Sequence, residues 1–413
     1  MQVVQTDDLL HTDEILSSID VIIRIFGKRD HRLLLSTLNG VSPMTTFRKR
    51  WLVPVAMSVF AAYANANANA ADSALEVVAH TSQAVWNAVA VDGAGKVYVS
   101  GPKWTGMKGP SVSRLNASGE PIAFPDARWN SDDASIPASQ RFINVNALHQ
   151  DDRGQLWIVD AGVTGFGGHV IPGGAKLVVV DVQSGKTVKV IVLDSTIAKD
   201  GSYIDDIRFN GDHAYLSDAG VPGIVVLDLK NGSMRRVLED SPATHAPADR
   251  DIILSGKVVR APDGTALRVH SDPLETSIDG KWLYFAALEG PWYKVETRLL
   301  NDAALAPESL SASVQFWRDL PPVGGTAMDK QGNFYFSDLA TDTLKRISVS
   351  GNIESIVSDP ALHWVDAPAF DPQGRIYLPA AQVDRVGLFN GGTSKVQWPL
   401  KVFRLEVSKP STR

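Results

Sequence analysis

Residues 204–229 read IDDIRFNGDHAYLSDAGVPGIVVLDL. Two acids open a short apolar strand, the turn Asn210-Gly211-Asp212 follows, and AYLS makes a second strand. The small loop DAGVPG then leads into a third strand, IVVLDL. Gly, Asn and Asp sit where tight hairpins need residues that tolerate left-handed backbone. Such a meander is too small to bury either face alone, so recurring copies imply a stacked or radial repeat.

Copies do recur. Second strands fit residues 97–100, 156–159, 214–217, 283–286, 334–337 and 376–379. Each carries an aromatic at its second position: Tyr98, Trp157, Tyr215, Tyr284, Tyr335 and Tyr377. A glycine-containing turn precedes every one of them. Third strands fit residues 112–116, 177–182, 224–229, 293–299, 344–349 and 402–407, and fourth strands 121–124, 188–193, 234–238, 314–317 and 353–357. The sixth copy runs out of chain before a fourth strand, while LEVVAH at residues 75–80 is left over at the other end. Pairing that segment beside 402–407 closes a ring and removes both open edges. The pattern predicts an all-β fold over residues 72–413: a six-bladed β-propeller closed by pairing an N-terminal strand with the C-terminal strand.

The first 71 residues read differently. Residues 1–43 show no domain pattern, and Gly40-Val41-Ser42-Pro43 interrupts whatever precedes it. From Met44 the chain has a basic stretch, the apolar run WLVPVAMSVFAAY at 51–63 and then ANANANAA at 64–71. That order is a secretory signal peptide, and its apolar run is short for a membrane span. The reading takes 1–43 as an upstream segment outside the native protein, 44–71 as the signal, and the mature product as secreted or periplasmic.

A formal net charge of -6 and a pI near 5.9 give no basic footprint for nucleic acid. The absence of cysteine removes thiol catalysis, disulfides and cysteine-ligated zinc. The expected partner is a small-molecule ligand, with no nucleic acid and no membrane after signal cleavage, and the expected state is a monomer.

In a propeller the first strand of each blade lines the central channel, so the residues entering those strands are site candidates. They include Asn87, Asn146, Asp205-Asp206, Glu275 and Asp366. A ring of carboxylate and amide oxygens suits a hard divalent cation such as Ca2+, and Asp205-Asp206 and Glu275 are its leading candidates. The same oxygens also orient a polar ligand, or cap turns and backbone N–H groups with no ligand at all. Trp364 and Trp292 are expected to stack on an aromatic or cationic ligand, or else to pack between blades. His169, in the glycine-rich run TGFGGH, reads either as a general base over the mouth or as an exposed surface histidine. That run matches neither the phosphate-loop nor the dinucleotide pattern, and G-x-S-x-G and H-E-x-x-H are absent.

These segments together resemble the Yellow/major royal jelly protein family. LWIVDAG at 156–162 is similar to its LWVLDTG segment, and AYLSDAGVPGIVVLD at 214–228 to its YISD and GIVVYD region. LYFAALEGPWYKVETRL at 283–299 and ALHWVD at 361–366 resemble two further motifs, in family order. The resemblance implies a six-bladed, usually secreted propeller with a ligand pocket at one channel mouth. Insect members are associated with biogenic amine binding, dopachrome conversion and nutritive or structural roles. It carries over Asp160 and Asp366 as motif positions. A second resemblance, at the level of fold, is to gluconolactonase/regucalcin-like propellers, in which a Glu, an Asn and an Asp hold a divalent cation that activates water against a lactone. There Glu275, Asn146 and Asp205 would take those parts, with one carboxylate as base.

Three functions follow: binding of a small polar or aromatic molecule at the channel mouth, with isomerase-like chemistry; a metal-dependent lactonase or related hydrolase; or a scaffold without chemistry. In the catalytic readings Asp205, Glu275 and His169 carry the reaction. The signal reading has a direct check. Exported protein should begin at residue 71 or 72 on N-terminal sequencing, and a mature chain starting at Met1 would contradict it.

Overall fold

The computed structural model describes residues 75–407. The upstream segment 1–43 and the signal 44–71 lie outside them. Strand β1 (Glu76–Thr81) comes first and is completed only at the other end of the chain. Blade one is β2 (Ala88–Val91), β3 (Val97–Ser100), β4 (Val112–Leu115) and β5 (Pro121–Ala123). Blade two is β6 (Val145–Gln150), β7 (Gln155–Asp160), β8 (Lys176–Asp181) and β9 (Lys186–Val192). Blade three is β10 (Ile204–Asn210), β11 (His213–Asp218), β12 (Ile224–Asp228) and β13 (Met234–Val237). A two-stranded hairpin, β14 (Ile253–Leu254) and β15 (Lys257–Val258), precedes blade four, which is β16 (Ser271–Thr276), β17 (Trp282–Ala287), β18 (Trp292–Glu296) and β19 (Gln315–Arg318). Blade five is β20 (Val323–Met328), β21 (Phe334–Asp338), β22 (Thr343–Ile347) and β23 (Ile353–Ser358). Blade six joins β24 (Ala369–Phe370), β25 (Arg375–Ala380) and β26 (Leu400–Glu406) to β1. The expected ring closure is therefore present, with β1 antiparallel to β26 and Arg404 paired to Glu76 across it.

One departure concerns blade four. Its third strand was expected to run through Leu299 but ends at Glu296, and Thr297–Asn301 forms a short helix, α1. The Thr297 hydroxyl donates to the Gly280 carbonyl at 2.6 Å and turns the chain, and Leu300 then buries among Tyr215, Leu283 and Val295. A second helix, α2 (Pro307–Ala312), starts on proline with Glu308 in its first turn, both favourable at a helix start.

The recurring aromatics have a physical basis. In blades one, two, five and six an aspartate opens the hairpin turn, as Asp92, Asp151, Asp329 and Asp371. One of its oxygens accepts two backbone N–H groups of the turn, for Asp92 those of Ala94 and Lys96 at 2.9 and 2.8 Å. Three residues later comes a glycine with positive φ, Gly95, Gly154, Gly332 or Gly374, and three further on the aromatic. The other aspartate oxygen holds Tyr98 or Trp157 at 3.1 and 3.0 Å. In blades one and two the repeat Asp-x-x-Gly-x-x-aromatic thus folds the turn and anchors the ring in one unit, whereas in blades five and six the second oxygen takes Asn333 and Arg375.

Six apolar clusters each fill the space between two neighbouring blades. A seventh lies elsewhere. It gathers Ile252, Leu254, Leu267 and Val269 from the insertion before blade four, Val163 from the blade-two loop, and Val383, Val386 and Leu400 from blade six. These loops form an apolar roof over the end of the channel at which the inner strands begin, here the upper end. Among the described residues no helix is long and apolar enough to cross a membrane.

Closing the ring buries the β26 edge. Deleting residues 75–81 should lower the melting temperature and cause concentration-dependent association through the bared edge. A truncated chain that melts like the full-length protein and does not self-associate would contradict this.

Candidate functional site

The upper ends of the inner strands are irregular. Pairing shifts register between Val145 and Ala147, between Ile204 and Ile207, between Ser271 and Leu274, and between Val323 and Thr326. These bulges add residues at the channel rim and re-aim their side chains, a common use of bulges beside functional sites. They fall on Asn146, Asp205-Asp206, Asp272-Pro273 and Gly324-Gly325. In blade five only glycine fits: a Cβ on Gly325 would stand 1.5 Å from the Asp366 carbonyl oxygen. That close approach lets blade six bring Asp366 against the rim. Serines on the second strands tie neighbouring rims together. Ser217 donates to the Asp272 carbonyl at 2.7 Å and Ser337 to the Val365 carbonyl at 2.6 Å.

The bulge in blade three separates its two acids. Asp206 turns down the channel and meets Arg208 at 2.6 Å. The Arg208 guanidinium crosses to Glu275 of blade four at 3.2 Å and to the Thr326 carbonyl of blade five at 3.1 Å. All three side chains are buried, and removing one partner from such a group costs about 3–5 kcal/mol. Burial raises the Glu275 carboxyl, and Arg208 works against that rise. Below Arg208 is a cavity of about 250 Å3, also bordered by His149, whose imidazole is pushed down to about 3 by burial and then by Arg208.

Above lies a separate, smaller cavity of about 50 Å3 that shares no lining residue with the lower one. Its floor holds Asp205, Asp272 and Asp366 with Asn146. Its walls are aromatic: Trp104, Phe166, Tyr203, Trp364 and Phe389. Trp104 donates to the Tyr203 hydroxyl at 2.8 Å, and that hydroxyl donates to Asn146 Oδ1 at 2.9 Å. The Asn146 amide in turn donates to the Asp205 carboxylate, and Asn87 donates to Asn146 at 3.2 Å. Phe389 meets Trp104 edge-on at 5.8 Å, and Phe166 tilts against Tyr203 at 5.0 Å.

No lysine or arginine lines this pocket. Burial pushes Asp205 and Asp272 well above the usual carboxylate range, and repulsion from neighbouring acids, Asp366 among them, adds to it. Asp366 is pushed up to about 8, by burial first and by Asp206 next, against a stabilising hydrogen bond from Asn87. These shifts favour the neutral, protonated form of the three acids.

The other expected site residues fall outside the pocket. Glu275 is not beside Asn146 and Asp205; it holds Arg208. Trp292 is fully buried between blades four and five, 5.3 Å from Phe334. His169 is exposed, with Nδ1 2.6 Å from Asp200, and its loop sends Phe166 into the pocket instead. Asp160 accepts the Ile143 and Asn144 N–H groups and pairs with the buried Lys176, a blade-building role. Asp272 and Tyr203 were not foreseen. The signal for Asp272 is its alignment with Asp205 once the hairpin turn of blade four, closed by Ser277 and Trp282, is seen to be longer than the Asn210–His213 turn of blade three; aligned on the second strands alone, Glu275 falls opposite Asp206. Among the described residues no group of three or more His, Asp or Glu side chains is placed to hold a metal ion.

Fold and site together define a closed β-propeller with a roofed acidic and aromatic pocket at one channel end. The family profile of major royal jelly proteins matches residues 143–390, more than half of the chain. The protein belongs to the major royal jelly protein family. No curated protein matches it. Among solved structures it is similar to a streptogramin B lyase, with 12% identity, TM-score 0.45, and 81% of this chain and 97% of that one covered. It is also similar to virginiamycin B lyase from Staphylococcus aureus, with 13% identity, TM-score 0.46, and 81% and 99% covered. A gluconolactonase from Xanthomonas campestris aligns with 15% identity, TM-score 0.48, and 81% and 90% covered. Likenesses this distant transfer no activity.

The buried acids make a pH prediction. An unfolded carboxyl titrates near 3.9, and Asp366 in the folded protein near 8. Between those values the folded state holds the extra proton, so stability should be greatest at the acid end and fall as pH rises through about 8. Melting temperatures of ligand-free protein from pH 5 to 8.5 should decline, and Asp366→Asn should flatten the decline. A wild-type profile that rises across this range would contradict the assignment.

Proposed function

We propose that the protein binds, in the upper pocket, a small molecule with a protonated amine and an aromatic or apolar body. The observation that carries this reading is the Asp205, Asp272 and Asp366 floor without a cation, set beneath aromatic walls. An ammonium group donates three hydrogen bonds, favours the ionised form of each acid and also interacts with aromatic faces. A divalent cation such as Ca2+ needs six to eight oxygens at short range, and the acids here do not converge in that way. The lactonase reading needs Glu275 beside Asn146 and Asp205, whereas Glu275 is engaged with Arg208. The amine reading requires no such rearrangement. We further propose that the mature protein is exported, in keeping with a family whose members are generally secreted.

The test uses phenethylamine as probe and tryptophan fluorescence as readout, since Trp104 and Trp364 face the pocket. Saturable quenching is expected. Asp366→Asn and Asp272→Asn should each weaken binding about ten- to a hundredfold, the range of a hydrogen bond to a charged group. Affinity should rise from pH 6 to 8 as the acids ionise. A flat titration over a panel of amines would overturn the reading, and a melting-point rise with Ca2+ alone would favour a metal site.

A further inference from the structure

The pocket is small for the ligand it is built to attract. A water needs roughly 10–15 Å3 of such space, so a cavity of about 50 Å3 holds a few waters and not an aromatic amine. Some part of the roof has to move. The floor acids Asp205 and Asp272 belong to inner strands, and Asp366 is held between the Val365–Ala380 and Ala88–Ala367 bridges. The roof instead includes residues 381–399, which contain no strand and only two short 3-10 turns, Val383–Arg385 and Gly387–Phe389. This segment supplies Val383 and Phe389 to the pocket.

One side chain joins that segment to the pocket wall. His363 is 2% exposed. Its Nδ1 lies 2.8 Å from Asp342 Oδ1, and its Nε2 lies 3.0 Å from Asp384 Oδ1. A carboxylate only accepts hydrogen bonds, so both ring nitrogens donate and the ring is an imidazolium. Asp342 belongs to the turn between β21 and β22 of blade five, and Asp384 to the roof turn Val383–Arg385. The nearby Arg385 guanidinium is turned away, onto Gln382 Oε1 at 3.0 Å. The residue after His363 is the pocket-wall Trp364, held at φ 53, a left-handed conformation rare for a bulky side chain. Backbone bonds run alongside: Ala381 N–H donates to the Trp364 carbonyl at 2.9 Å and Gln382 N–H to that of His363 at 3.2 Å. A single charge therefore meets blade five, the turn leading to Trp364 and Asp366, and the roof.

We propose that His363 is a positioning residue, a charged latch that holds residues 381–399 closed over the acidic pocket and sets how readily an amine enters. The proposal rests on the amine-pocket reading for its purpose, but the latch itself is a property of the empty protein. The pH behaviour agrees with it. Burial alone lowers the imidazole, yet Asp342 and Asp384 outweigh burial and raise it to about 9. The latch is complete below the ordinary histidine range and is lost as pH rises through about 9.

Hydrogen exchange on the full exported chain tests this without any ligand. In His363→Gln, a neutral side chain that cannot donate to both carboxylates as the ring does, residues 381–399 should exchange at least tenfold faster, with β6–β12 unchanged. Asp384→Asn keeps the ring and one carboxylate, and serves if the first variant folds poorly. It should open the same segment and move the His363 NMR titration midpoint down toward 6.5, which a packing role alone would not do. Phenethylamine should then associate faster with both variants. Wild-type exchange rates in 381–399 for both variants, or an unmoved midpoint in Asp384→Asn, would overturn the latch. Faster exchange without phenethylamine binding would leave the latch standing and reject the amine pocket.

Discussion

Asp205, Asp272 and Asp366 repel one another inside a cavity from which most water is excluded, and much of the upper half of the molecule is arranged around that repulsion. Each acid comes from a different blade, so no local segment creates the cluster; the closed ring does. The bulges turn the acids inward, the missing side chain at Gly325 lets blade six approach, and serines pin the rims. Inside a protein an unpaired charge is costly, and a carboxyl relieves that cost by holding its proton. The raised acids are thus the expected state of an empty site. In the proposed reading a cation arriving there would let them ionise, so that binding energy and proton loss would be two sides of one event.

The lower half solves the same problem differently. Asp206 and Glu275 are more fully buried than Asp272 and Asp366, but Arg208 lies between them and reaches a third blade through Thr326. That group holds both acids on one guanidinium and spans the channel. Sequence neighbours Asp205 and Asp206 thereby face different cavities, Asp205 the roofed upper pocket and Asp206 the Arg208 group below. The roof covers the end of the channel that holds Asp205, Asp272 and Asp366.

Much of the fold was legible because a propeller repeats. Turn glycines, the second-position aromatics and the spare strand at residues 75–80 each report a backbone requirement that local sequence encodes. The site was less legible, because a bulge is a register event that leaves no firm mark in a single sequence. The longer hairpin turn of blade four shifts the alignment as well, and Glu275 is then read where Asp272 belongs. Trp292 and Trp364 look equally available as letters, yet one is packed between blades and the other lines the cavity. The roof was missed as a unit because its apolar residues lie in three distant loops without periodicity. They become a cluster only once the ring brings the loops together.

The most direct test of the central claim counts protons. Titration calorimetry of phenethylamine at pH 7.5, in two buffers of different ionisation enthalpy, gives the number released on binding. If an ammonium ion neutralises the acid floor, the protein releases protons to the buffer, and Asp366→Asn reduces the number. Binding with no proton release, or equally tight binding of the uncharged analogue 2-phenylethanol, would contradict the account.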